Sequence, residues 1–349
     1  MKAIVKYGLE DGDVELRDVP EPELVPGTVL IAARAVGVCG SDIHMWRNKQ
    51  SWATRQPVTL GHETAGVIAA VADDVEEWQV GDRVVCETAA SICGTCALCR
   101  TGRYNLCPSR EGYGAVRDGA FGELLLAEPR VLHRIPGNVS FEQAAMTEPF
   151  AVAYNAIVER APLSPGDLVV VQGIGAIGAL SLQMARLRGA GLVVVLGTPL
   201  DKDRLQKALE LGADRIVDVT TEDAGEVIRS LGDGLGADLV VDATGVSIAL
   251  KQGLELVRPF GSIVKIGWGP QPLGFSLDPL VAKAVTLYGS FSHTWTTWER
   301  VLELFSSRRL DPQSVLGGVY ELDDWERAFE DMESGRNIKS VMVMPGRSG

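Results

Sequence analysis

Leu168-Val169-Val170-Val171-Gln172 runs directly into Gly173-Ile174-Gly175-Ala176-Ile177-Gly178 and on into Ala179-Leu180-Ser181-Leu182. A short unbroken apolar run reads as a strand buried on both faces, and the small and apolar residues after it open a helix. In that context the three glycines have separate jobs. Gly173 permits the tight turn, Gly175 lets backbone approach a pyrophosphate, and Gly178 allows close helix-to-strand packing, while the helix N-terminus offers unpaired N–H groups to phosphate. A turn that merely needs small residues is the alternative. The strand before this stretch and the alternation after it favour a dinucleotide site: strands at 192–196, 215–218, 239–242 and 263–266 are separated by helical patterns, the first at 201–211. Repeated strand and helix imply an α/β fold with a doubly wound parallel sheet.

An acidic residue for the ribose 2′-OH is expected at the end of the second strand, about 20 residues on. That strand instead ends Leu196-Gly197-Thr198-Pro199, followed by Lys202 and Arg204. Loss of the acid relieves repulsion of a 2′-phosphate, and Thr198 with a nearby base can bind one, which favours NADP. The alternative is that Asp201 or Asp203 reaches back to the ribose and the cofactor is NAD. Ala176 and Ile177 in the turn, Thr244 after the fourth strand, and Ile266-Gly267 after the fifth complete the expected cofactor residues.

The 349 residues are 46% hydrophobic and 23% charged, ample for two globular domains and unlike a disordered chain. Thirty-three basic against 46 acidic residues give a formal charge of −13, which disfavours nucleic acid and acidic membrane surfaces and leaves a small molecule as the expected partner. The N-terminus lacks a basic segment followed by an apolar one and a cleavage site, and no apolar run approaches the roughly 20 residues of a membrane span. The chain is therefore read as soluble and cytoplasmic.

Residues 1–150 carry short β-branched runs broken by Gly and Pro, the grammar of an irregular, mostly β domain. Within it Cys93, Cys96, Cys99 and Cys107 form CxxCxxC and a fourth thiol. Two-residue spacers let successive thiolates wrap one cation, and four sulfurs describe a closed, structural zinc site, with an iron–sulfur cluster as the rival. Cys39, His62, Glu63 and Glu148 supply a thiolate, an imidazole and carboxylates, the ligand set of a zinc with an open position. Cys86 is assigned to core packing and His133 to structure.

These motifs together resemble the zinc-dependent medium-chain dehydrogenases, in the sorbitol, threonine and butanediol dehydrogenase branch. GVCGSDIH (37–44), GHETAG (61–66), GDRV (81–84), the four-cysteine lobe, TEPFAVA (147–153) and GIGAIG (173–178) stand in the family's order over essentially the whole chain. The resemblance implies a GroES-like catalytic domain at 1–152 with its structural-zinc lobe at about 88–110. It further implies a Rossmann domain at 153–289, a return to the catalytic domain at 290–349, and an active site in the cleft between the two. It makes Cys39 and His62 ligands of the catalytic zinc, with Glu63 and Glu148 sharing the remaining direct and water-mediated positions. Asp42 then accepts a hydrogen bond from the far nitrogen of His62, and Ser41 and His44 relay the proton of the alcohol.

The implied reaction moves hydride between a secondary alcohol or polyol and NAD(P), in a homodimer or homotetramer. A catalytically silent NAD(P)-binding redox sensor or structural protein is the alternative, and zinc-assisted hydrolysis or lyase chemistry would leave the dinucleotide fingerprint without a purpose. Sorbitol dehydrogenases carry Arg-Tyr after a phenylalanine where this chain has Phe291-Ser292-His293, a departure that weighs against sorbitol itself. Met45, Trp46, Trp52 and Trp268 either line the pocket or belong to core or interface.

Overall fold

A computed structural model describes residues 1–345. The chain divides into two compact units: Met1–Pro149 with His293–Glu333 and the chain from Lys339 onward, and Phe150–Ser292 with Ser334–Ile338. The short excursion at Ser334–Ile338 has no counterpart among the segments expected from sequence. Arg204 holds it, donating from Nε to the Asn337 carbonyl at 3.1 Å.

The second unit is a six-stranded parallel sheet. Its order is Arg215–Asp218, Leu192–Gly197, Leu168–Gln172, Ala237–Asp242, Val257–Lys265 and Thr286–Gly289, so the winding reverses on either side of Leu168–Gln172. Val169, Val170 and Val171 are fully buried, as a central strand covered on both faces requires. Ala176–Leu187 follows as a helix with Gly175 at its N-cap. A Cβ on Gly178 would lie 1.9 Å from the Gly173 carbonyl oxygen, so the helix can pack this close only over glycine. Gly175, in contrast, has nothing within 4 Å of where its Cβ would be. At the same carboxyl edge Asp242, fully buried, accepts from the Thr244 N–H (3.0 Å) and hydroxyl (2.8 Å), while its main-chain carbonyl takes the N–H groups of Ile266 and Gly267.

The first unit is built on antiparallel sheet. Leu132–Arg134, Arg83–Cys86, Glu63–Val71, Val29–Gly37, Lys339–Val343 and Leu316–Glu321 lie side by side, with Leu124–Ala127 also paired to Val29–Gly37. Only the last two of that row run parallel. The helix Trp325–Glu333 presents Trp325, Ala328, Phe329 and Met332 to the core at helical spacing. Trp46 meets Trp325 and Phe329 edge-on, at 5.7 and 5.8 Å between ring centroids. Met45 and Trp46 are thus core residues, not pocket walls. Among the described residues no helix is long and apolar enough to cross a membrane.

Gly178→Ala is expected to destabilise the apo-protein by about 1–3 kcal/mol, since the added methyl must displace backbone. Gly175→Ala is expected to leave stability nearly unchanged while weakening dinucleotide binding. Thermal unfolding with a cofactor titration of each variant checks the contrast.

Candidate active site and metal centres

Two clusters of ligating side chains lie in the first unit. The first begins where the strand Val29–Gly37 ends and the helix Gly40–Trp46 starts. Cys39 is the N-cap of that helix, and Asp42, three residues on, folds its Oδ2 back to accept the Cys39 N–H at 2.9 Å. This reciprocal cap is the local reason for the Cys-Gly-Ser-Asp spacing. Register brings the partners alongside, because Gly37 pairs directly with Glu63 across the antiparallel ladder. A Cβ on Gly37 would sit 1.9 Å from Glu63 Oε2, so glycine leaves the room that the carboxylate fills.

Cys39 Sγ, a ring nitrogen of His62 and a carboxylate oxygen of Glu63 lie within 4.8 Å of one another. His62 Nδ1 faces Asp42 Oδ1 at 3.7 Å, and the Ser41 hydroxyl is 3.5 Å from His62 Nε2. Among the described residues Ser41 forms no hydrogen bond with His44, which is exposed on the same short helix. Glu148 stands outside the trio, in the first turn of Thr147–Tyr154, with Oε1 3.2 Å from His293 Nε2.

Glu63 is fully buried and ion-paired with buried Lys339, whose Nζ also donates to the Val38 carbonyl at 2.6 Å. The other oxygen of Glu63, Oε2, has no partner among the described residues. Burial raises the Glu63 pKa, and the nearby Glu148 charge adds to that. For His62, burial disfavours the imidazolium, but Asp42, Cys39 and Glu148 outweigh it and carry the ring up to about 10. For Glu148, burial raises the pKa, and donation from His293 with the charges of His62 and Lys339 more than reverses it. A thiol, an imidazole and a buried carboxylate with one unpartnered oxygen thus converge within 4.8 Å of one another. That donor set fits a divalent zinc-like cation.

The second cluster is the cysteine lobe. Cys93 and Cys99 sulfurs are 3.9 Å apart, Cys96 and Cys99 3.5 Å, and Cys93 and Cys107 3.6 Å. Four sulfurs at about 2.3 Å from one zinc would be about 3.8 Å apart, so the spacing suits a single ion and leaves no room for a multi-iron cluster. Main-chain N–H groups of Cys96 and Cys99 point at the sulfurs of Cys93 and Cys96, at 3.3 and 3.4 Å. Donation from Cys96 and Thr95 lowers the Cys93 thiol to about 6. Cys86 is buried in the core, and His133 is buried between Glu87 (3.2 Å) and Glu299 (2.6 Å), each a structural position.

In the second unit, Gly173, Gly175, Gly178, Thr198, Thr244, Ile266 and Gly267 come together at the carboxyl edge of the parallel sheet, where the winding reverses. The open space over Gly175 at a helix N-terminus is what a pyrophosphate fills. Two basic residues expected there differ in their engagement. Lys202 is exposed, whereas Arg204 is turned to the Asn337 carbonyl, which corrects its expected place beside a 2′-phosphate. Asp201 Oδ2 accepts from the Thr198 N–H (3.1 Å) and hydroxyl (3.0 Å), placing a carboxylate at the end of the second strand.

Sequence reasoning gave no role to Lys339, His293, Thr88 or Trp298. The one available signal was charge or imidazole inside otherwise apolar or β-rich text, as in Ile338-Lys339-Ser340-Val341.

The alcohol dehydrogenase GroES-like domain family matches residues 25–137, and the zinc-binding dehydrogenase family matches residues 176–307. A sorbitol dehydrogenase of Halalkalibacterium halodurans is 38% identical over 344 residues, covering 98% of this chain and 99% of that one. The alcohol dehydrogenase TADH from Thermus sp. ATN1 superposes with a TM-score of 0.89 at 29% identity, covering 99% of this chain and 100% of that one. A zinc-binding dehydrogenase from Sinorhizobium meliloti 1021 bound to NADP superposes with a TM-score of 0.89 at 27% identity, covering 98% of each chain. With both family domains matched in order and full-length likeness at this identity, the chain belongs to the zinc-dependent medium-chain alcohol dehydrogenases, in the branch that holds the sorbitol dehydrogenases.

Proposed function

We propose that this chain oxidises a secondary alcohol or polyol to the carbonyl compound, and reduces it in reverse, with a nicotinamide dinucleotide as hydride partner. The observation that carries the reading is the trio of half-buried Cys39, half-buried His62 and buried Glu63, with the Ser41 hydroxyl 3.5 Å from His62. Cys39, His62 and Glu63 would hold the catalytic ion, with Glu148 as a further carboxylate of the same site. When bound, zinc supplies the Lewis acid that acidifies an alcohol, and the dinucleotide supplies the hydride acceptor. Ser41 receives the proton of the alcohol and passes it to His44, three residues along the same helix and open to solvent. Partial desolvation and then Lys49 lower the His44 pKa, which keeps the ring neutral and able to accept. Asp42 fixes the orientation of His62. Trp52, edge-on to His44 at 6.4 Å between centroids, walls the alcohol pocket. The four cysteines hold a second, structural zinc.

Ser292 and His293 leave the polyol without the arginine that sorbitol dehydrogenases use, so a substrate held by hydroxyl hydrogen bonds and the metal fits best. For the cofactor, the Asp201 carboxylate at the second strand's end and the engagement of Arg204 favour NAD over the NADP expected from sequence. The two metal sites require five reduced thiols, Cys39, Cys93, Cys96, Cys99 and Cys107, and all five are free, which suits a reducing cytoplasm. We read the protein as a homodimer or homotetramer: Thr286–Gly289 is the unpaired outer edge of the parallel sheet, with Leu287 38% exposed on it.

Purified, zinc-replete protein is expected to hold two zinc equivalents and to change nicotinamide absorbance with a polyol or secondary alcohol. Cys39→Ser should remove one equivalent and abolish turnover with dinucleotide binding intact, whereas Cys96→Ser should remove the other and destabilise the lobe. Metal analysis beside the absorbance assay decides, and full turnover in Cys39→Ser would sink the mechanism. Asp201→Ala is expected to raise the NADP-to-NAD ratio of kcat/KM about tenfold, by removing charge repulsion worth about 1.4 kcal/mol. Leu287→Lys is expected to shift the protein toward monomer in light scattering.

A further inference from the structure

His293 and Trp298 are buried in the first unit and neither belongs to the metal trio. The helix Trp295–Ser306 places the Trp298 indole N–H 2.5 Å from His293 Nδ1. An indole nitrogen can only donate. Nδ1 therefore accepts, and the ring proton sits on Nε2. That nitrogen lies 3.2 Å from Glu148 Oε1 and 3.5 Å from the Thr88 hydroxyl oxygen, which takes a hydrogen bond of its own from Arg110 Nη2 at 2.8 Å. Nδ1 is thereby held as an acceptor and Nε2 is left as the ring's donor. Trp298 is itself held in place, stacked on His133 at 5.4 Å and 10° between planes, while His133 is pinned between Glu87 and Glu299.

We propose that His293 is a positioning residue for Glu148, locked by Trp298 as an Nε2–H donor that fixes one carboxylate oxygen and leaves the other for the metal site. The role rests on Glu148 facing the catalytic zinc, as set out above. It answers a specific need: Glu63 and Glu148 are two buried carboxylates of one site. Glu63 is claimed by Lys339, and Glu148 would otherwise be free to swing onto the same ammonium. Holding Oε1 on a donor fixed from the far side by Trp298 keeps the two carboxylates apart.

The test titrates zinc-loaded protein with a chelator and counts zinc retained in wild type, His293→Gln, His293→Leu and Trp298→Phe. The glutamine amide nitrogen reaches where Nε2 lies, so His293→Gln should hold its zinc within about threefold of wild type. His293→Leu should release the more labile equivalent at about tenfold lower chelator or less, in the range seen when partners of metal ligands are removed, with the cysteine-held equivalent unchanged. Trp298→Phe keeps the aromatic bulk and frees the tautomer; it should release zinc earlier than wild type, and it carries the test if His293→Leu does not fold. Equal release from wild type, His293→Leu and Trp298→Phe, or failure of His293→Gln to rescue, overturns the positioning role alone. Wild-type protein that binds only the cysteine-held equivalent overturns the metal reading, and the positioning role with it.

Discussion

The Nζ of Lys339 donates at once to the Val38 carbonyl and to the Glu63 carboxylate, so one buried ammonium fastens the segment that carries Cys39 to the segment that carries His62. Lys339 opens the strand Lys339–Val343, which pairs antiparallel with Val29–Gly37 through Val341 and Gly37. The last strand therefore delivers its charge to the place where the ligand-bearing loop leaves the sheet. Burying such a pair yields little net stability, but removing one partner strands the other charge and typically costs about 3–5 kcal/mol. The burial of Glu63 and Glu148 is offset by the Lys339 ammonium on one carboxylate and the His293 ring on the other. The arrangement of the donors Cys39, His62 and Glu63 thus depends on a residue outside the trio.

The parallel unit follows a different logic, in which shape precedes charge. Its central strand is apolar along Leu168–Val171, and polar groups gather where strands end: Asp242 gathers the N–H groups of its own loop, and Asp201 caps the turn after the second strand. The glycine spacing at 173, 175 and 178 divides that edge into one position that must touch backbone and one that must stay open. Sheet and binding edge are consequences of the same six residues.

What could be read from sequence is what is local. The fingerprint, the cysteine lobe and the Cys39-to-Asp42 turn each lie within one loop or one helix start, so spacing alone carries their geometry. The strand and helix alternation was legible for the same reason, as in the helix Lys202–Glu210, expected over 201–211. Lys339, His293 and Thr88 were not legible as site residues, because each meets a partner 145 to 276 positions away, and such a meeting is set by strand register rather than by pattern. Arg204 illustrates the converse. A basic residue at the right offset from a strand looks like a phosphate ligand until a distant carbonyl, that of Asn337, takes its donors. Met45 and Trp46 follow a catalytic motif in sequence yet face inward, because helix periodicity turns them to the core.

Cys93 is exposed, and its sulfur lies within 4 Å of both Cys99 and Cys107. The same N–H groups that ready it for a cation hold it as a thiolate near neutral pH, which is the nucleophilic and oxidisable form. A newly made chain thus faces a race at this lobe. Capture of an ion consumes the sulfur lone pairs and ends the reactivity, whereas an oxidant arriving first finds neighbouring thiols already at close range. The lobe's readiness for metal and the reactivity of its metal-free thiols share one physical origin.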